Sequence, residues 1–323
     1  MAPEPARFPR TEAGGGPAAP PTLASRGPDF VSAGPRLGND CWFLSGPTAA
    51  GKTSLAIDLA RRLGAEIVSV DSMAVYRGLD IGTAKPTACQ RAAVAHHLID
   101  VVPAAERYSV ARWLADASRA VEECRARGRR ILFVGGTPLY LRTLRDGLAA
   151  LPEGDPEIRR RLQAEAAEKG LAILHARLAA ADPRAADRIH TNDAKRIIRA
   201  LEVLHSSGRP LSDAFAPTAH PVFATQMMVI DVPRRLLAER IDRRVRGMFD
   251  QGLVEEVRAA EALPGGIGFT ARQAAGYAES LELLAGRMTL DEAIRRTQQR
   301  TRQLAKRQLT WLRSFREAVW ITA

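Results

Sequence analysis

Gly46-Pro47-Thr48-Ala49-Ala50-Gly51-Lys52-Thr53 is a complete GxxxxGK[ST] stretch, and its flanks decide the fold. Before it runs the short apolar segment Cys41-Trp42-Phe43-Leu44. After it, Leu55, Ala56, Leu59, Ala60 and Leu63 recur at helical spacing until Gly64 stops them. A strand, a glycine turn and a helix in that order make a phosphate-binding loop. Backbone N–H groups turn inward around phosphate oxygens, and the helix adds the positive end of its dipole. Here Gly46, Thr48, Ala49, Ala50 and Gly51 form the cradle, Lys52 supplies a point charge and Thr53 a hydroxyl for Mg²⁺. The expected ligand is a di- or triphosphate, or a diphosphate ester.

Outward from the loop, strand-like and helix-like segments alternate. Glu66-Ile67-Val68-Ser69-Val70 is a second β-like run ending at Asp71, and His97–Val102 is a third candidate. Ser109 can cap a helix carrying Val110, Trp113, Leu114, Ala117, Val121 and Cys124, which ends at Gly128. Ile131-Leu132-Phe133-Val134 follows, closed by Gly135-Gly136-Thr137. Residues 155–207 read as consecutive short helices with charged faces. Gln226–Val232 is again strand-like, helices follow to about residue 316, and Val319-Trp320-Ile321 can close the sheet. This predicts an α/β fold, a P-loop NTPase-like parallel sheet core with helices on both faces and an inserted helical domain. The core takes residues 39–147 and 219–323, and the insertion residues 148–218. Residues 1–38, crowded with Pro, Gly and Ala and without periodicity, read as a disordered extension.

Composition limits the partners. The 323 residues are 46% hydrophobic and 26% charged, which reads as soluble and globular, and no apolar run is long enough to span a membrane. Cys41, Cys89 and Cys124 form no CxxC pair, which argues against a disulfide framework or a zinc signature and fits a reducing cytoplasm. His96-His97 lacks a third ligand at metal spacing and reads as a packed pair. Nothing demands an oligomer, so a monomer is expected. The net charge of +11 favours a polyanion, and only five of the 47 basic residues are lysine.

Much of the surplus lies near the C-terminus. Between Ile294 and Arg316 stand eight basic residues and no acidic one. On a helix, Arg295, Arg302, Lys306 and Arg313 fall within about 40° of one another, with Leu304, Trp311 and Phe315 on the opposite side, toward the core. Such a ridge suits a phosphate backbone. A smaller basic set, Lys195, Arg196 and Arg199, lies on a helix capped by Asn192 or Asp193.

A nucleotide-hydrolysing P-loop protein places an aspartate at the end of an apolar strand. Three runs compete for that place, and the one ending at Val134 continues into Gly135-Gly136-Thr137 with no carboxylate. Asp71 ends the strand that follows the P-loop helix, on the sheet edge that faces the ligand crevice. Asp100 reads better as a structural carboxylate.

These segments together resemble the tRNA dimethylallyltransferase (tRNA isopentenyltransferase) family. The resemblance rests on Gly46–Thr53, Asp71-Ser72-Met73-Ala74-Val75-Tyr76, Gly82-Thr83-Ala84-Lys85-Pro86, His96–Asp100, Gly135–Tyr140, Arg196–Val203 and Thr301–Arg313. It implies transfer of a dimethylallyl group from dimethylallyl diphosphate to the exocyclic amine of the adenosine 3′ to the anticodon, with release of pyrophosphate. The partners are then the tRNA anticodon stem-loop and dimethylallyl diphosphate, with Mg²⁺ as cofactor. By resemblance Asp71 takes the amine proton and Thr137 helps to hold the amine or the donor. The sequence does not fix which arginine stands behind the pyrophosphate, and Arg199 is the residue chosen for that place. RNA contacts are implied at Asp71, Ser72, Met73, Ala74, Thr137, Arg159, Lys195, Arg196, Arg199, the Gln273–Ala278 segment, Arg302, Lys306, Arg307 and Arg313. The sequence departs from the family pattern at Ala50, Ala74, Thr191 and Ala278, where Ser, a larger residue, Pro and a basic residue are usual. Two rivals stand beside this reading, a P-loop small-molecule kinase and a non-enzymatic RNA-binding protein. The kinase leaves the missing strand-end aspartate unexplained, and the binding protein leaves Asp71 and Thr137 without a role.

Overall fold

The computed structural model describes residues 31–32, 34–149, 151–214 and 226–322. Residues 1–30 of the expected extension and the expected boundary at 218/219 lie outside the described residues. Strand β2 (Cys41–Ser45) occupies the middle of a six-stranded sheet, between β5 (Arg130–Val134) and β7 (Met227–Asp231). Beyond β5 lie β3 (Ala65–Ser69) and β4 (His96–His97), and beyond β7 lies β8 (Val319–Thr322). All the pairings are parallel. Every residue of β3 is buried, as expected of a strand covered on both faces. Phe43 and Phe133 stack across β2 and β5 with ring centroids 5.0 Å apart.

Helix α1 (Lys52–Leu63) buries Ala56, Ile57 and Ala60 and ends at Gly64, whose φ of 63° is open to glycine without strain. After α2 (Ala88–Ala93) comes α3 (Val110–Ala126), where the Ser109 hydroxyl accepts the Arg112 N–H, as the sequence predicts. Trp113 is fully buried there, and burying Leu114 and Val121 contributes about 1.5–3 kcal/mol each. The Trp113 indole stacks on Tyr140 of α4 (Pro138–Asp146) at 4.2 Å and donates to the Ser69 carbonyl at the end of β3. The chain passes from β2 to β3, leaves a gap that β5 later fills, and then opens the other side of β2 with β7. The carboxyl ends of β2, β3 and β5 therefore meet where the strand order reverses, the place where open α/β sheets bind ligands.

Two expectations change. Of the run His97–Val102 only His97 belongs to a strand, the two-residue β4, because Leu98 (φ 62°) and Asp100 (φ 57°) enter the left-handed region; Val102 makes a single isolated bridge to Tyr76. The run's backbone bonds instead to the segment after Asp71, with Asp100 N–H donating to Ala74 and Val101 N–H to Val75. Residues before Asn39 also take part in the fold. Strand β1 (Val31–Ser32) pairs antiparallel with β6 (Leu148–Ala149), Pro35 is buried, and Leu37 packs on the core.

Between β6 and β7 come α5 (Pro156–Lys169), α6 (Leu171–Ala181), α7 (Pro183–Arg188) and α8 (Ala194–Ser207). They enclose a hydrophobic cluster of their own, with Leu162, Leu174, Leu178, Ile197 and Leu201 at its centre. Asp193, not Asn192, caps α8 by accepting the Arg196 N–H. The C-terminal part holds α9 (Arg234–Asp250), α10 (Leu253–Glu261), α11 (Tyr277–Leu284) and α12 (Leu290–Leu312). The buried line of α12 runs through Ala293, Thr297, Thr301, Ala305, Gln308 and Leu312. Leu304 and Trp311, expected in the core, are half-buried, while Phe315 is buried as expected. No helix among the described residues is long and apolar enough to cross a membrane.

Candidate active site

The loop after β2 is built for close approach. Gly46 has φ 150°, and a Cβ there would meet the Ile230 carbonyl oxygen at 3.1 Å. Gly51 (φ 89°) and Ala49 (φ 64°) both lie in the left-handed region, which turns the loop back over the start of α1. Lys52 and Thr53 are the first two residues of that helix. Lys52 Nζ donates to the Gly46 and Pro47 carbonyls at 2.9 and 2.7 Å. Burial pushes the Lys52 ammonium down to about 8, against the pull of the Asp71 charge and with added repulsion from Arg244.

Facing the loop is the end of β3. Asp71 Oδ1 accepts the Met73 N–H at 2.8 Å and the Ala74 N–H at 3.3 Å. None of the described hydrogen bonds uses Oδ2. Thr137, at the start of α4, accepts the Ser72 N–H on its Oγ1 at 3.1 Å, and its own N–H donates to Val70 at 3.1 Å. Asp71 and Thr137 are thereby held on one turn pair, next to the P-loop. The Gly135-Gly136 pair makes this possible. A Cβ on Gly135 would lie 2.2 Å from the Val70 carbonyl oxygen, and one on Gly136 would lie 2.6 Å from Gln308 Nε2. These glycines are required by space and not by backbone angle.

Asp100, the other strand-end candidate, holds Lys85 at 2.5 Å and Arg91 at 2.6 Å. Lys85 is buried and also bonds Asp80 and the Tyr76 carbonyl, so it braces the loop after Asp71 and does not face phosphate. His97 Nε2 lies 2.7 Å from Glu66 Oε2, with Cys124 Sγ close by. Arg127 already neutralises that carboxylate, drawing Glu66 down to about 2, while burial pushes the Cys124 thiol up to about 12. This cluster is a packed ion pair at the far end of β3 from Asp71.

Of the residues implied in RNA contact, Ser72 and Met73 are half-buried beside Asp71. Ala74 is buried, so its side chain faces the core. Lys195 and Arg196 are exposed on α8. Arg159 and Arg199 converge on Glu202, which is fully buried, at 2.9 Å each, and Arg199 also donates to the Pro152 carbonyl. The Arg199 guanidinium is thus engaged within the insertion, and the arginine electrostatically coupled to Lys52 is Arg244 of α9. Arg295, Lys306, Arg307 and Arg313 are exposed along α12. Acid reaches this ridge from a neighbouring helix, since Asp242 of α9 pairs with Arg302. A groove between α9 and α12 is lined by Leu237, Ile241, Arg302, Lys306, Leu309 and Arg313.

Two residues escaped the sequence reading. Arg244 is one of 42 arginines and carries no local signal. Gln308 does carry one, as a long polar side chain on the core-facing line of an amphipathic helix. Its Oε1 accepts the Thr48 N–H and its Nε2 donates to the Gly136 carbonyl, both at 2.8 Å.

A phosphate cradle set against a strand-end carboxylate and hydroxyl, on a parallel α/β sheet, defines a P-loop enzyme that transfers a group from a phosphorylated donor. The family model for IPP transferase matches residues 74–315, and that for isopentenyl transferase matches residues 39–99. The chain is 50% identical over 280 residues to the tRNA dimethylallyltransferase of Anaeromyxobacter dehalogenans, covering 86% of this chain and 93% of that one. It is 48% identical over 281 residues to the enzyme of the same name from Geobacter metallireducens, covering 86% and 91%. Among solved structures it resembles the tRNA isopentenylpyrophosphate transferase of Bacillus halodurans (TM-score 0.63, 38% identity, 88% and 90% covered). It also resembles a eukaryotic dimethylallyltransferase acting on tRNA (TM-score 0.72, 26% identity, 87% and 73% covered). The chain belongs to the tRNA dimethylallyltransferase family and is a prenyl-transferring enzyme.

Proposed function

We propose that this protein transfers a dimethylallyl group from dimethylallyl diphosphate to the exocyclic amine of the adenosine 3′ to the anticodon of tRNA. The observation that carries the reading is the placement of Asp71 and Thr137 opposite the P-loop, at the ends of adjacent strands. The P-loop then holds a leaving group and not a nucleotide to be hydrolysed. The kinase alternative gives way to the family membership.

The adenosine amine attacks the allylic carbon, the carbon–oxygen bond to diphosphate breaks, and the amine proton passes to Asp71. An aromatic amine is a weak nucleophile because its lone pair is delocalised, so a base acting during attack lowers the barrier. Asp71 Oδ1 is anchored by two N–H groups, which leaves Oδ2 to take the proton. Thr137 orients the reacting amine. Lys52 and the P-loop amides take up the charge of the departing pyrophosphate, and we assign Arg244, in place of Arg199, as the arginine behind it. The donors that the cradle offers a cation, the Thr53 hydroxyl and the diphosphate itself, are all oxygens, which suits Mg²⁺. Thr53 would hold that ion, and when bound it would neutralise pyrophosphate charge. The target base must leave its stack to reach Asp71, which a single-stranded loop permits at low cost. Lys195, Arg196 and the α12 ridge hold the RNA backbone while it does so, whereas Arg159 is engaged with Arg199 on Glu202. We place the enzyme in the cytoplasm as a monomer.

The test is incubation with dimethylallyl diphosphate, Mg²⁺ and unmodified tRNA in the absence of ATP, followed by nucleoside mass spectrometry. Prenylated adenosine at the position 3′ to the anticodon is expected. No prenylated nucleoside, or phosphoryl transfer from added ATP to a small molecule, would overturn the reading.

A further inference from the structure

Gln308 stands where three parts of the site meet. It lies on the buried line of α12, is 8% exposed, and follows directly after the ridge residues Lys306 and Arg307. Its carboxamide accepts the Thr48 N–H inside the P-loop and donates to the Gly136 carbonyl, one residue before Thr137. One planar group therefore spans the half that holds diphosphate and the half that holds the amine. The fit leaves no slack, because a Cβ on Gly136 would come within 2.6 Å of Nε2 and 3.0 Å of the Gly46 carbonyl oxygen. An apolar side chain would fill the same space but leave the Thr48 N–H and the Gly136 carbonyl unpaired. A carboxamide accepts at one end and donates at the other, as this junction requires.

We infer that Gln308 is a positioning residue for prenyl transfer, setting the distance between the P-loop and the Asp71/Thr137 turn. The inference rests on the proposed assignment of donor and acceptor to those two halves. Each half has anchors of its own: Lys52 on Gly46 and Pro47, Asp71 on Met73 and Ala74, and Thr137 on Ser72. The strand ends behind them stay joined, because Ser45 Oγ donates to the Gly135 carbonyl and the Gly135 N–H to Leu44. Loss of the bridge therefore leaves both halves formed but unties their tips at Thr48 and Gly136, which are then free to drift. Transfer needs the reacting atoms about 3–3.5 Å apart, and a drift of about 1 Å can cost about 10²-fold in rate. The signature is therefore a loss in kcat with little change in either binding step.

Two variants test this. Gln308→Met keeps the length and removes both bonds, whereas Gln308→Glu keeps the acceptor for Thr48 and loses the donor to Gly136. In Gln308→Met we expect kcat at saturating substrates to fall about 10²-fold, with donor KM and tRNA Kd within about threefold of wild type. Gln308→Glu should not restore wild-type kcat. Amide exchange at Thr48, read by NMR, should be slow in wild type and Gln308→Glu and fast in Gln308→Met. A Gln308→Met enzyme with near wild-type kcat would overturn the inference, as would a kcat loss matched by an equal loss of tRNA affinity, which marks helix packing alone. Wild-type enzyme that yields no prenylated tRNA would instead defeat the functional reading. The Thr48 exchange contrast would then still decide whether the bridge holds the loop.

Discussion

Gly135→Ala adds a single methyl group at the point where the strand ends are closest. The new Cβ would lie 2.2 Å from the Val70 carbonyl oxygen and 2.4 Å from its carbon, both backbone atoms that no rotamer change can move. Contacts below 3.0 Å are essentially never seen for a Cβ, so the turn must open by roughly 0.8 Å. That opening pulls the Thr137 N–H off Val70 and the Thr137 hydroxyl off Ser72, and so moves Thr137 relative to Asp71. Displacement on this scale lowers kcat by about 10²-fold, and overpacking lowers stability by about 1–3 kcal/mol. The assay is prenyl transfer to an anticodon stem-loop at saturating donor, alongside a urea melt. Gly128→Ala is the control. It sits at φ 68° with nothing within 4 Å of a Cβ, so it should cost about 1 kcal/mol of stability and leave kcat unchanged. A Gly135→Ala enzyme with wild-type kcat would refute the claim that this contact sets the geometry of the acceptor site.

Lys52 gives a pH prediction with a definite sign. Diphosphate needs the ammonium form, and burial places that group near 8, so kcat/KM for the donor should fall about tenfold per pH unit above that value. Lys52→Arg should abolish this alkaline limb, because a guanidinium stays charged throughout. On the ridge, Arg313→Glu or Lys306→Glu should weaken tRNA binding and flatten its salt dependence by about one unit of slope or more, as read by filter binding across salt concentrations. Arg302→Ala should cost less than Arg313→Ala, because Arg302 is already paired with Asp242.

What could be read from the sequence was local. The P-loop, its flanking strand and helix, the Ser109 cap and the closing strand expected at Val319–Ile321 each declare themselves through spacing within about ten residues, and each stands where it was expected, the last strand running one residue further to Thr322. Asp71 and Thr137 could be placed because strand ends in a parallel sheet face one crevice. What escaped depends on contacts distant in sequence. The run His97–Val102 looks like a strand, yet the Asp100, Val101 and Val102 amides donate to the carbonyls of residues 74–75, the Val102 carbonyl accepts the Arg77 N–H, and Leu98 and Asp100 turn left-handed. Residues 31–38 read as part of the extension, but Val31 pairs with Ala149 and Ser32 with Leu148, more than a hundred residues away. The ridge on α12 was visible as charge, whereas its partner Asp242 belongs to another helix. Gln308 and Arg244 acquire meaning only once α12 and α9 are packed beside the P-loop. No window of sequence brings residue 48 to residue 308.

Asp71 is the proposed base that takes the proton from the attacking amine. Asp71→Asn tests it most directly, because the amide oxygen can still accept the Met73 and Ala74 N–H groups and keep the turn in place. Single-turnover transfer should be measured with enzyme, dimethylallyl diphosphate and stem-loop RNA all bound. The account predicts a rate lower by about 10²–10⁴-fold, with donor and RNA affinities within a few-fold of wild type. Transfer at the wild-type rate in Asp71→Asn would contradict it.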